Sequence, residues 1–176
     1  TATGKEANSI NVAPAFTSTS DLHLTAGSNN PLKAGNYVTG ITTDYDGDLR
    51  NLGLPAIGAD EYKVANLWSG NTSTDWGTNT NWDNSNVPLS GVDITIPYGV
   101  PNMPVLDANR TIGNLSFIKT GVGTVDINGK TFTIGGAITG TGTLTGSSSS
   151  NLVLNGTAGT VNFTQTSAAT RSLNNL

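Results

Sequence analysis

The sequence predicts an all-β protein, a right-handed parallel β-helix or β-solenoid of short strands, with a β-sandwich as the alternative. Three observations lead there. Thr, Asn, Ser and Gly make up roughly half of the chain, and all four are mediocre or poor formers of a helix interior. From Asp93 onward, short β-branched runs recur about every ten residues with Gly or Asn between them, a spacing that suits a sandwich or a solenoid. The runs stay short and grow more monotonous toward the C-terminus, which favours stacked coils over sandwich strands of changing character.

Taken in order, residues 1–63 form a first region with brief apolar runs, Ser9-Ile-Asn-Val12 and Asp21-Leu-His-Leu-Thr25, separated by Gly, Asn and Pro turn signals. These runs predict short strands. Residues 64–176 form a second region that opens on a tryptophan-rich segment. Its candidate strands are Asp93–Ile96, Asn114–Ile118, Gly123–Ile127, Thr131–Ile134, Thr143–Thr145, Asn151–Leu154 and Val161–Phe163. The expected core is Ile112, Leu115, Phe117, Val125, Ile127, Phe132, Ile134, Leu144, Val153 and Phe163. Solenoid ends carry unpaired strand edges, so self-association through exposed ends is expected. Thr1–Lys5 lacks the features of a signal peptide and Ser172–Leu176 reads as a strand just beginning, so both ends read as cuts in a longer exported chain.

Charge excludes several functions. Only 11% of residues are charged, the net charge is −4, and the eight Lys and Arg are scattered, whereas a nucleic-acid surface needs them clustered. The apolar stretches are far too short for a membrane span. With no Cys and abundant Thr, Asn and Gly, the composition fits a bacterial secreted protein that folds without disulfides. No Gly-x-Ser-x-Gly motif, phosphate-cradling loop or Cys nucleophile is present. The carboxylate pairs are unpromising too: Asp60 and Glu61 are adjacent and point to opposite faces of a strand, and Asp75 and Asp83 lie in a loop without an apolar pocket. The sequence therefore predicts no catalysis.

Thr42-Thr-Asp-Tyr-Asp-Gly-Asp-Leu-Arg50 followed by Pro55-Ala-Ile-Gly-Ala-Asp-Glu-Tyr62 resembles the closing segment of bacterial right-handed parallel β-helix proteins of the pectin-lyase-like group. Pro14-Ala-Phe16 and Asp21–Leu24 extend the likeness over about residues 8 to 62, with Leu49 where that group usually has Pro. Trp68–Trp76, Asn81-Trp82, Val87-Pro88, Asp93–Pro97, Pro104-Val105 and Ile112–Leu115 are similar to the opening of a second, adhesin-like β-solenoid module in large bacterial surface proteins. The resemblance implies a junction between two β-rich modules, export and attachment at the cell surface.

Asp44, Asp46 and Asp48 alternate around Gly47, so a loop could gather three carboxylates on calcium, a hard cation that prefers oxygen ligands. Their order does not fit an EF-hand, and an acidic turn paired with Arg50 is the favoured reading. Calcium is the sole cofactor the sequence offers. His23, the only histidine, points away from Leu22 and Leu24 toward solvent or a groove, and a lone His without Cys argues against zinc. Trp68, Trp76 and Trp82 in a polar segment suit either of two roles: a sugar-stacking platform, or a cap that replaces the missing coil below the first strands. The cap is favoured by their position just before the strand series. Thr139-Gly-Thr-Gly-Thr-Leu-Thr145 would present a row of hydroxyls if it ran as one strand.

The function expected is therefore a structural and adhesive segment of a secreted bacterial cell-surface protein. The alternative is a carbohydrate-binding module of a polysaccharide-interacting or polysaccharide-degrading protein. Expected partners are an extracellular polysaccharide or a host or biofilm surface.

Overall fold

The computed structural model describes residues 10–25, 32, 34–36, 38–51, 54–118 and 121–163. The chain divides into two compact units, Thr1–Val64 and Ala65–Leu176. Strand structure dominates, and among the described residues no helix is long and apolar enough to cross a membrane.

Among the described residues of the second unit eight short strands follow one another: β1 (Ile94–Pro97), β2 (Arg110–Ile112), β3 (Leu115–Ile118), β4 (Thr124–Asp126), β5 (Thr131–Ile134), β6 (Ile138–Thr139), β7 (Thr143–Thr145) and β8 (Asn151–Leu154). They form three open sheets, β1-β3-β6, β2-β5-β8 and β4-β7. Every pairing between these strands is parallel, unlike the antiparallel ladders of a sandwich. Parallel neighbours need a crossover of about a dozen residues or more. Here the crossover is made of the strands of the other two sheets, so the chain returns to each sheet after roughly 20 residues, as in Ile94 with Leu115 and Phe132 with Leu152. Isolated parallel bridges extend the pattern, with Val105 on Asp126 and Leu144 on Phe163.

Two of these strands, β2 and β6, do not stand out in the sequence. Arg110-Thr-Ile112 and Ile138-Thr139 are too short to show an alternation. Omitting them makes the strands seem ten residues apart when three strands share each passage of the chain.

In-register stacking decides which side chains face inward. Partners in a parallel ladder project to the same face, so Leu115 stacks on Ile94, Phe117 on Ile96, Ile134 on Ile112 and Leu144 on Val125. The result is one buried cluster that also holds Ile127, Phe132, Leu106 and the three tryptophans. Leu152 pairs with Phe132 and is buried, whereas Val153 pairs with the half-buried Thr133. The core position in β8 is therefore Leu152, not Val153; an apolar run such as Asn-Leu-Val-Leu does not reveal its inner face without a partner. Phe163 is only partly buried against the cluster.

The corner before the first sheet is held by a polar relay. The Asp93 carboxylate accepts the Asn114 backbone N–H at 2.7 Å and its side-chain N–H at 2.9 Å, and Asn114 Oδ1 accepts the Ala137 N–H at 2.7 Å. The next corner requires glycine. A Cβ on Gly140, at φ +84°, would lie 1.9 Å from the Phe117 carbonyl oxygen, and one on Gly142 would lie 1.9 Å from the Phe117 ring. The chain bends there between β6 and β7, so the threonines of 139–145 belong to two different sheets. Thr143 is itself buried, so no single outward row of hydroxyls forms.

The first unit is loop-rich. Of the strands expected there, the described residues show isolated antiparallel bridges, Phe16 with Leu24 and Thr43 with Leu49, and residues 10–12 join no ladder. Leu32, Ala56 and Tyr62 form a small core with Val12, Leu24 and Val64 against it. Arg50 ties the loops together. Its guanidinium donates to the carbonyls of Ala56 (3.1 Å), Gly58 (2.8 Å) and Ala59 (3.3 Å) and lies 3.5 Å from the buried Glu61 carboxylate. The direct ion pair of Arg50 is with Glu61, because the guanidinium fork fills a nest of carbonyls that only the folded loop creates, while its charge still acts on Asp44 in the acidic turn. The reading of Ser172–Leu176 as a strand lies outside the described residues.

Candidate functional site

Three loop segments of the first unit meet around His23. Asp44 organises one of them: its Oδ1 accepts the N–H groups of Asp46 (3.0 Å) and Asp48 (2.8 Å), and its Oδ2 accepts that of Glu61 (2.8 Å). Gly47, at φ +88°, supplies the left-handed residue the turn needs. Partial burial pushes the Asp44 pKa up, but the three backbone N–H groups together with Arg50 outweigh it and hold the carboxyl below its ordinary 3.8. The Tyr45 N–H donates to the Ala59 carbonyl at 3.1 Å and the Leu24 N–H to Asp60 Oδ2 at 2.6 Å, so the 21–24 and 44–48 segments are both tied to the third, 58–61.

This arrangement places Asp46 Oδ2 3.2 Å from His23 Nε2, while Asp21 Oδ1 contacts His23 Nδ1 and also accepts the His23 backbone N–H at 3.1 Å. His23, Asp46 and Asp60 each bring one ligating atom within 4.8 Å of the other two. They line a groove of about 350 Å³ with Ser20, Asp21, Leu22, Tyr45 and Ala59. The imidazole and the Asp46 carboxylate are 57% and 42% exposed, so the groove is open to solutes. The Asp21 hydrogen bond and charge, then the charges of Asp46 and Asp60, raise the His23 pKa above its ordinary 6.5. The hydrogen bonds from His23 hold the Asp21 carboxyl below 3.8.

The sequence-derived calcium set is not assembled. Asp44 uses both carboxylate oxygens on backbone N–H groups, Asp46 turns to His23, and exposed Asp48 is outside the His23 group. What sequence reasoning missed is the meeting of positions 23, 46 and 60. The Asp21-x-His23 spacing was its only local signal, since the rest depends on where loops cross.

In the second unit the tryptophans turn inward. Trp68, Trp76 and Trp82 are 0%, 1% and 1% exposed. Trp82 meets Trp68 and Trp76 edge to face, with ring centroids 5.0 Å and 4.9 Å apart, and Trp76 packs on Phe132 at 5.9 Å. Two of the indole N–H groups are satisfied within the protein: Trp68 Nε1–H donates to the Asn102 carbonyl at 2.7 Å and Trp82 Nε1–H to the Trp76 carbonyl at 2.9 Å. Asn81, fully buried, accepts the Thr72 and Ser73 N–H groups and donates to Ser73 Oγ and the Asp75 carbonyl. A sugar stacks on an open ring face, and Trp68, Trp76 and Trp82 present none. Their geometry is that of a hydrophobic plug beside the first strands.

The paired acids also have structural partners. Asp75 closes a turn by accepting the Gly77 N–H and the Thr78 hydroxyl, Asp83 is buried, and Glu61 binds Arg50 and the Ala56 N–H.

No protein-family model, curated protein or solved structure matches the chain.

Proposed function

We propose that the chain is a structural and adhesive segment of a secreted bacterial cell-surface protein, with no catalysis of its own. The second unit is read as the start of a right-handed parallel β-helix capped by its tryptophans, and the first as the closing part of another such module. One observation carries this reading: strands repeat in parallel register over a plug of buried aromatics, and the outward positions of the first sheet form a row of uncharged hydroxyls. Thr95, Ser116 and Thr139 are that row, with Thr139 Oγ1 3.1 Å from Ser116 Oγ. A regular, weakly charged polar flank suits a spacer that presents surface to an extracellular polysaccharide or a host or biofilm surface, and concentrates no groups for bond cleavage.

The test is antibody labelling of the bacterium that encodes the chain. Intact cells should be labelled. Labelling that requires permeabilisation would overturn the assignment, and release of unsaturated or reducing products from pectin, alginate or cellulose by the purified chain would overturn the absence of catalysis.

A further inference from the structure

We propose that His23, Asp46 and Asp60 bind a first-row divalent cation of the zinc class, with Asp21 as the positioning residue behind the imidazole. The site goes beyond the structural reading and does not depend on it. The donor set is one imidazole nitrogen and two carboxylate oxygens from three different loops. Imidazole selects zinc-like ions over magnesium or calcium, which prefer all-oxygen shells. The 3.2 Å between His23 Nε2 and Asp46 Oδ2 matches the edge of a coordination polyhedron whose ligands lie about 2.1 Å from the metal, roughly 3.0 to 3.4 Å.

The orientation of the ring supports the assignment. Asp21 Oδ1 engages Nδ1, and an ionised carboxylate accepts there, so Nδ1 carries a proton and Nε2 is the atom that faces Asp46. This is the carboxylate–histidine–metal arrangement, in which the outer carboxylate fixes the tautomer and makes the imidazole a better donor. The backbone holds the set in place: Leu24 N–H binds Asp60, Tyr45 N–H ties the Asp46 turn to Ala59, and Arg50 grips the carbonyls of Gly58 and Ala59. Arg50 is thereby directed to those carbonyls and Glu61, so among the described residues that line the groove the cation facing Asp21, Asp46 and Asp60 is His23 when protonated, and a metal ion can take that place. Three protein ligands in an open groove leave coordination positions for water or for a donor from a partner.

The experiment uses the whole chain without an affinity tag, since added histidines would compete. Because the chain has a single histidine, nitrogen-15 NMR of its imidazole reads the site directly while zinc chloride is titrated in at pH 7.5, with calorimetry alongside. The expected result is one zinc per chain, a shift at Nε2 with Nδ1 still protonated, and no displacement by millimolar calcium. His23→Ala and Asp46→Asn should abolish calorimetric binding, and Asp21→Asn should weaken it about tenfold, with amide spectra showing each variant folded. An imidazole unmoved by millimolar zinc would overturn the proposal. So would zinc binding that survives His23→Ala, or calcium that displaces zinc at equal concentration.

Discussion

Replacing Trp76 with Ala tests the plug at its most connected ring. The indole is 1% exposed and touches Trp68, Trp82 and Phe132 at centroid distances of 6.3, 4.9 and 5.9 Å. Truncation of a buried Trp to Ala loses the transfer energy of the ring and leaves a cavity, together about 3 to 5 kcal/mol. The edge-to-face contacts lie within that range, at about 0.5 to 1.5 kcal/mol each. Unit Ala65–Leu176 spans roughly 110 residues, and an unfolding entropy of about 2.1 cal/mol/K per residue converts the loss into a midpoint drop of roughly 13 to 22 °C. All three tryptophans of the chain lie in this plug, so fluorescence-monitored melting reports on it alone. Trp76→Phe, which keeps a ring in the space, should lose less than half as much. A Trp76→Ala midpoint within about 3 °C of the parent, with the emission of the remaining tryptophans unmoved, would refute the plug and show the ring to be dispensable for folding.

Other consequences follow from single residues. Gly140→Ala combines a φ of +84° with a Cβ 1.9 Å from the Phe117 carbonyl, whereas Gly91→Ala at φ +81° meets open space. Gly91→Ala should cost about 1 to 2 kcal/mol and Gly140→Ala distinctly more, and equal urea midpoints would refute the steric account. Glu61→Ala leaves the largely buried Arg50 guanidinium and the Ala56 N–H without their carboxylate; a loss of about 3 to 5 kcal/mol is expected. Hydrogen exchange at residues 54–64 reads that loss, and unchanged protection there would contradict it. For the metal-free chain, the His23 imidazole should titrate above 6.5 and Asp21 below 3.8. A raised histidine pKa stabilises the fold fully below 6.5 and loses that contribution as pH rises through the folded value. A lowered aspartate pKa stabilises it above 3.8 and loses that as pH falls through the folded value. The pair therefore contributes most between those limits. In an NMR titration Asp21→Asn should lower the His23 value, and a parent value at or below 6.5 would refute the pairing.

The sequence by itself determined the secondary-structure class and much of the core, because β-branched alternation is local. Leu115 and Phe117 in β3, and Phe132 and Ile134 in β5, are buried at every second position as their own runs require. The tryptophan cluster was also legible, since three large apolar rings in a polar segment must be buried somewhere or exposed for a purpose. Which of the two applies was decided by tertiary structure: the indole N–H groups of Trp68 and Trp82 find the carbonyls of Asn102 and Trp76 only after the loops close. The same holds for β2, β6 and the inner face of β8, because a strand of two or three residues has no periodicity of its own and takes its register from the neighbour it pairs with. Asp44, Asp46 and Asp48 show the limit most clearly. Their spacing is local, but their partners are the backbone of Glu61 for the first and the ring of His23 for the second. Linear spacing carries no information about which loops cross. The burial of a small loop-rich core and the pull of Arg50 on the 56–59 carbonyls set that crossing, and with it the meeting of His23, Asp46 and Asp60.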